Sequence, residues 1–197
     1  MSRKTEIVRA DILDIAAYDR RRSEVRKEIA AIKAKRRVPV GPYATFYFEC
    51  YETMHYQIQE MLRAERGGDE QLKEELAAYN PLVPKGADLT ATMMFEINDP
   101  DERSRVLLQL GGVEDHMFVE VAGDRIVARA ERDVERTKAS GKTSSVHFVH
   151  FDFTPEQIQK FRAPSARVLV GIEHPKYGHV AILSDETRSE LARDFAL

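Results

Sequence analysis

The stretch from Tyr43 to Arg66 constrains the fold more than any other part of the chain, because its hydrophobic period changes once. It reads YATFYFECYETMHYQIQEMLRAER. Alternate residues are apolar as far as Cys50, which is typical of a β-strand, and beyond Glu52 the apolar residues recur every three or four positions, as in a helix. The sequence therefore predicts a strand that passes directly into a helix near Glu52.

Polar side chains are concentrated on this helix and on the YNPLVP segment that follows it. Their amide and guanidinium groups could bond loop backbone, an acidic ligand or a partner, because arginine is suited to carboxylate recognition. Buried amides often serve backbone, so fixing of the YNPLVP loop is favoured over ligand binding. Glu65 shares the apolar stripe, so we expect it near the buried edge with a partner from another element. The candidate ligand-binding residues are Gln57, Gln59, Glu60, Arg63, Glu65, Arg66, Tyr79 and Asn80.

The rest of the chain alternates short strand patterns with short helical ones. Strands are predicted over 89–97, 116–122, 125–130, 145–153, 167–173 and 179–183, helices over 69–79, 99–110, 154–161 and after 184, and a loop or weak helix over 131–142. Glycine-containing hairpins and short connections favour antiparallel pairing. We predict an α+β fold, a single domain with a mainly antiparallel sheet flanked by helices, in which strand 145–153 is central because both its faces are apolar.

Residues 1–40 predict a basic helical arm on an α+β domain formed by residues 41–197. The arm holds twelve Lys and Arg against six Asp and Glu, and the body holds eighteen against twenty-seven. A narrow, partly charged stripe predicts a helix lying across another element. It consists of Tyr18, Arg22, Val25, Ile29, Ile32 and Arg36. The arm could pack on its own body or on a second copy as a homo-oligomer. Nucleic acid is a weaker partner, because the helix dipole also favours basic residues at a helix C-terminus.

The composition favours a soluble cytoplasmic protein. Cys50 is the single cysteine, so an internal disulfide is excluded and nothing indicates an oxidising compartment. The first residues lack the apolar core of a signal peptide, and no apolar run approaches the roughly 20 residues of a membrane helix. We therefore expect no membrane association.

A metal site is the sharpest chemical hypothesis. Glu49 and Glu96 fall at matching ends of two predicted strands, and His147 lies on a strand expected nearby. Two carboxylates and an imidazole could bind a divalent metal, namely iron, manganese or zinc, and support a small metal-dependent enzyme. The competing interpretation pairs both glutamates with arginines and places His147 in the core. It is favoured because the three residues come from separate segments without ligand spacing.

Five motifs follow one another along nearly the whole chain: GPYATFYFE, YQIQEMLRAER, EELxxYNPLVP, LTATMMFEI and TSSVHFVHF. In this order they resemble a family of uncharacterised bacterial proteins known only as a domain of unknown function. Its members are often encoded beside a rubrerythrin-like di-iron protein and an iron–sulfur protein similar to a heterodisulfide reductase subunit. The resemblance implies a redox or oxidative-stress setting and such a partner, and it assigns no residue a chemical role.

The sequence leaves open whether the protein is an enzyme. The first hypothesis is a non-catalytic binding or accessory module, associated with a redox partner through the basic arm or the acidic body. The alternative is the small metal-dependent enzyme with the Glu/Glu/His site. His55 and His150 depart from the family pattern, so a shared mechanism that needs them is doubtful.

Overall fold

The structure is a computed structural model that describes residues 4–131 and 142–196. The loop or weak helix predicted over 131–142 therefore lies almost entirely outside the described residues. The helices are α1 (Ile15–Lys35), α2 (Tyr51–Glu65), α3 (Gly68–Tyr79), α4 (Pro100–Gln109), α5 (Pro155–Arg162) and α6 (Asp185–Leu191). Among the described residues, no helix combines the length and the apolarity that crossing a bilayer requires.

The strands form two antiparallel sheets. They are β1 (Arg37–Val40), β2 (Ala44–Phe48), β3 (Asp88–Phe95), β4 (Met117–Val121), β5 (Asp124–Val127), β6 (Arg129–Ala130), β7 (Val146–Asp152), β8 (Val168–His174) and β9 (Tyr177–Ile182). The first sheet has the order β1-β2-β3-β7-β6 and the second has the order β5-β4-β8-β9. Every pairing among the described strands is antiparallel. The α+β fold is confirmed, and β7 lies inside its sheet as predicted; the division into two sheets was not foreseen.

One hydrophobic core lies between the two sheets. Phe46 and Met93 enter it from the first sheet, and Val119 and Val170 enter it from the second. All four side chains are essentially inaccessible to solvent. The two sheets are therefore held together mainly by the apolar surface that they bury against each other.

A second hydrophobic core lies on the outer face of the first sheet, under α2 and α3. Met54 and Ile58 of α2 meet Leu72 of α3 there, and Phe148 of β7 packs against them from the sheet. The predicted change of period is confirmed, because β2 ends at residue 48 and α2 begins at residue 51. The first sheet is consequently covered on both faces.

The N-terminal arm is a long helix that continues into the sheet. α1 packs along α2 with Tyr18 and Ile29 buried, as the narrow stripe predicted. Directly after it, β1 pairs with β2, and Gly41 and Pro42 lie in the turn between the two strands. Residues 37–40, which were predicted as the end of the arm, thus form a strand of the first sheet. A local hydrophobic pattern could not reveal this four-residue strand, which contains a proline.

A buried arginine joins the end of α1 to two distant parts of the chain. The side chain of Arg36 is 1% exposed. Its guanidinium donates to the carbonyl oxygens of Phe48 and Glu49 at 2.9 and 2.8 Å. It also pairs with the carboxylates of Glu190 and Asp194 near the C-terminus. Fixed carbonyl and carboxylate acceptors offset the cost of burying its charge.

We expect Arg36→Met to lower the free energy of unfolding by about 3–5 kcal/mol, because it removes the buried cation that pairs with Asp194 and Glu190, while Glu190 keeps its contact with the exposed Arg193. Urea denaturation at neutral pH measures this change. The matched control is Arg37→Ala, since the neighbouring Arg37 is half exposed and pairs with Glu96 at the surface. The control should cost less than about 0.5 kcal/mol. Equal losses for the two variants would show that the Arg36 contacts do not stabilise the fold.

Candidate functional site

Two amide side chains hold the N-terminal strap, which we define as residues 4–14. The Gln59 amide accepts a hydrogen bond from the Leu13 backbone N–H at 2.7 Å and donates to its carbonyl at 3.3 Å. Asn80 binds the N–H and the carbonyl of Ile7 in the same way, at 2.8 and 2.9 Å. The preference for a structural role agrees with these contacts. The two amides bind the backbone of the strap, however, whereas the sequence predicts that they fix the YNPLVP loop.

Further contacts complete the groove in which the strap lies. His55 Nε2 is 2.8 Å from the carbonyl oxygen of Asp11. Lys85 Nζ donates to the carbonyl of Thr5 at 2.7 Å. The side chain of Ile7 is buried in the second hydrophobic core. We call the surface formed by α2, α3 and residues 80–85 the strap groove.

Glu60 fixes α1 to α2. Its carboxylate accepts two hydrogen bonds from the Arg22 guanidinium, at 2.8 and 2.7 Å, and one from the Tyr18 hydroxyl at 2.5 Å. The Arg22 hydrogen bonds, helped by the Tyr18 hydroxyl, lower the pKa of Glu60 to about 2. Burial, together with the nearby Glu60 carboxylate, raises the pKa of Tyr18. Glu60 is therefore ionised in the folded protein at neutral pH.

The other α2 candidates have separate positions. Arg63 donates to Asp19 of α1 at 2.5 Å. Glu65 accepts a hydrogen bond from Gln71 of α3 at 3.0 Å, so its partner does come from another element. Its predicted place near the buried edge is wrong, because Glu65 is exposed. The reason is that α2 ends there, and Arg66 turns the chain away with a left-handed backbone (φ 55°).

The remaining two candidates, Gln57 and Tyr79, are half-buried. Tyr79 packs against the second hydrophobic core. Neither residue lines the pocket to which Arg63 contributes. The eight candidates therefore serve several local contacts and do not form one ligand site.

A basic groove lies between α1 and α2. Its volume is about 650 Å³, and it is lined by Asp19, Arg22, Ser23, Arg26, Lys27 and Arg63. Within the part of the chain that the structure describes, Arg26 and Lys27 have no ion-pair partner, and both are exposed. Neither residue is among the candidates predicted from the sequence. The signal was available, because residues 19, 22, 23, 26 and 27 share one helical face.

The antiparallel register separates the two candidate metal-binding glutamates. The Glu49 N–H donates to the Thr90 carbonyl, and the Glu96 N–H donates to the Tyr43 carbonyl. Positions 43 and 49 are at opposite ends of β2, so the two backbones are about 20 Å apart. Glu49 follows the end of β2 and Glu96 follows the end of β3. Because these two strands are antiparallel, their ends lie at opposite edges of the sheet, and the two carboxylates do not share a site.

His147 lies on the other face of the first sheet. It pairs with Met93, whose side chain enters the core between the sheets. The Glu49 carboxylate, in contrast, accepts from Thr92 at 2.7 Å, and neighbouring strand residues point to opposite faces. His147 is fully buried, with its Nε2 atom 2.9 Å from the Ser144 carbonyl oxygen. Across residues 4–131 and 142–196, no three His, Cys, Asp or Glu side chains are grouped so that they could hold a metal.

Each candidate glutamate has its own hydrogen-bond donors. Glu49 also accepts from the Thr53 hydroxyl, at 2.7 Å. Glu96 accepts from Thr45 and Tyr47, both at 2.6 Å, and pairs with Arg37 at 3.1 Å. The two hydroxyl donors are the main cause of the lowered pKa of Glu96. The Glu96 carboxylate therefore pairs with an arginine, whereas the Glu49 carboxylate accepts hydrogen bonds from threonine hydroxyl groups.

We expect Glu60→Gln to lower the free energy of unfolding at pH 7 by about 1–2 kcal/mol, through the lost charge-assisted hydrogen bonds. A carboxyl whose pKa is depressed by folding stabilises above its unfolded pKa, and this contribution disappears as the pH falls toward the folded value. The difference between wild type and variant should therefore shrink between the ordinary pKa of 4.5 and about 2. Denaturation curves across this range measure it.

The control for this experiment is Glu65→Gln, a change of the same kind in the last turn of the same helix. Glu65 is exposed, and its hydrogen-bond donor among residues 4–131 and 142–196 is the Gln71 amide. Its substitution should have an effect below about 0.5 kcal/mol at every pH. A difference between wild type and Glu60→Gln that does not vary with pH would contradict the assignment.

Comparisons with known proteins identify relatives without an assigned activity. No curated protein matches the chain significantly. A crystal structure of a protein of unknown function from Burkholderia pseudomallei is similar to it, with 34% identity and a TM-score of 0.88. The similarity covers 96% of this chain and 98% of that one. The family described as "Protein of unknown function (DUF3501)" matches residues 6–195. The chain therefore belongs to this family of unknown function.

Proposed function

We propose that the protein is a non-catalytic accessory module whose basic groove binds an acidic segment of a partner protein. The proposal rests on how the four cations around the groove are paired with carboxylates. Arg22 and Arg63 are held in place by Glu60 and Asp19. Arg26 and Lys27 lie beside them and have no carboxylate partner among the described residues.

This arrangement suits a carboxylate-rich ligand. The two paired arginines and the two helices form a rigid wall, and the two exposed cations supply charge that a partner can neutralise. Because the groove is open to solvent, its contacts are screened by salt and contribute more to the association rate and to specificity than to affinity. An open basic surface of this kind fits a protein segment better than a small substrate, which is bound in an enclosed cleft.

The partner that we propose is an iron–sulfur or rubrerythrin-like redox protein in the cytoplasm. The family resemblance supports this choice, and an acidic surface on that protein would complement the groove. The metal-dependent enzyme finds no comparable support, because Glu49, Glu96 and His147 lie apart. The redox setting and the cytoplasmic location stay predictions.

The experiment is a charge reversal at the two exposed cations, Arg26→Glu with Lys27→Glu. We expect a fluorescent peptide rich in Asp and Glu to bind the wild-type protein at low salt, and the double variant to bind it about tenfold or more weakly. Fluorescence anisotropy measures both. The matched control reverses Lys73 and Lys176, which are exposed lysines outside the groove. It changes net charge equally and should bind almost like wild type.

Three results would contradict the proposal. The first is equal loss of binding in the control variant, which would indicate a net-charge effect. The second is tighter binding of a single-stranded oligonucleotide of equal charge than of the peptide. The third is a wild-type dimer, seen by sedimentation, that dissociates in the groove variant. That outcome would make the acidic body of a second copy the occupant.

A further inference from the structure

We propose that the strap groove is a peptide-binding site that the chain's own strap occupies reversibly. Once the strap leaves, the groove would accept in trans an extended peptide with an aliphatic side chain at the position of Ile7. This site is distinct from the basic groove, and the inference does not depend on the function proposed above. It rests on how the groove recognises the strap, on how the strap is organised, and on what supports the groove.

The groove recognises the strap mainly through backbone. Asn80 satisfies both the N–H and the carbonyl of Ile7, and Gln59 does the same for Leu13, six residues further on. A side-chain amide offers one acceptor and two donors, so it can replace a neighbouring strand at one residue without reading its side chain. Peptide-binding domains combine the same two elements, backbone hydrogen bonds for affinity and a side-chain pocket for specificity.

The pocket for a side chain is where Ile7 lies. Its side chain is 1% exposed and belongs to the second hydrophobic core, whereas the next residue, Val8, is 44% exposed. Thr5, Glu6, Arg9 and Ala10 are also exposed. The groove therefore buries Ile7 most deeply, Ile12 packs against the same core with partial burial, and the strap residues on either side of Ile7 are exposed.

The strap carries its own local order. Asp11 accepts hydrogen bonds from the Val8 backbone N–H at 3.0 Å and from Lys4 Nζ at 2.7 Å. Both partners lie within the strap, around the short helical turn at Arg9–Asp11. A free peptide of the same sequence can form these contacts too, so it loses less conformational entropy on binding.

The walls of the groove are also held to the first sheet by contacts that do not involve the strap. α2 and α3 pack on the first sheet through Met54, Ile58 and Leu72, with Phe148 beneath them. Asn80 and Gln59 lie on these packed elements, directly after α3 and within α2. Loss of the strap would uncover the pocket of Ile7 and leave the amides in place, which is the condition for binding in trans.

The test uses full-length protein with Ile7→Asp, which removes the aliphatic anchor, and a fluorescent peptide KTEIVRADILD corresponding to residues 4–14. We expect saturable binding to this variant, about tenfold or more tighter than to the unsubstituted protein, whose own strap competes at high effective concentration. Adding Asn80→Ala to the Ile7→Asp variant should weaken its binding of the peptide by about tenfold. The matched control is Val8→Asp, which changes an exposed strap residue and should behave like the unsubstituted protein.

A peptide carrying the same Ile7→Asp change should not bind. The proposal is overturned if the Ile7→Asp protein retains its circular dichroism and fails to bind the peptide. It is equally overturned if Asn80→Ala leaves the affinity unchanged.

A second measurement on the unsubstituted protein covers the case in which Ile7→Asp does not fold. Hydrogen exchange should show the backbone amides of Ile7 and Leu13 opening locally, well before those of β3 and β7. If these two amides exchange only when the amides of the central strands do, the strap does not leave the groove separately. That result would also overturn the proposal.

Discussion

The short connection between β2 and α2 is the constraint on which the rest of the structure depends. β2 ends at residue 48 and α2 starts at residue 51, so the linker is too short for the helix to pack anywhere except against the first sheet. It must turn back over the outer face of the first sheet, where Met54 and Ile58 bury their side chains. Once α2 is placed there, its remaining faces provide one surface for the strap and another for α1. Both grooves described above are consequences of this single connection.

The family motifs can be understood in terms of these surfaces. In YQIQEMLRAER, the second glutamine holds the strap, the first glutamate holds Tyr18 and Arg22, and the first arginine holds Asp19. In YNPLVP, the asparagine holds Ile7. These side chains act together in attaching residues 4–35 to the helices. A motif can thus be dense in polar residues because it binds the chain's own N-terminal part.

Local features of the fold could be predicted from sequence, whereas pairings between distant segments could not. The strand-to-helix change and the helices predicted over 99–110 and 154–161 depend on neighbouring residues, and the structure has all of them. The two sheets were not foreseen, because alternation in β4 and in β7 says nothing about which strands pair. Asn80 and Gln59 were recognised as binders of backbone, but their targets lie 73 and 46 positions away. The separation of Glu49, Glu96 and His147 has the same cause, since it depends on the direction in which β2 and β3 pair and on the face of β7 that carries His147.

The contacts of Arg36 also order events during protein synthesis. Its carbonyl acceptors at residues 48 and 49 are synthesised 12 and 13 residues after it, but its carboxylate partners at 190 and 194 follow only after 154 and 158 residues. Until Glu190 and Asp194 have been synthesised, the guanidinium lacks these two carboxylates, and its charge is hydrated by water. The junction of α1, β2 and the segment around residues 190–194 therefore closes only after all nine strands have been synthesised, so the fold matures as one unit.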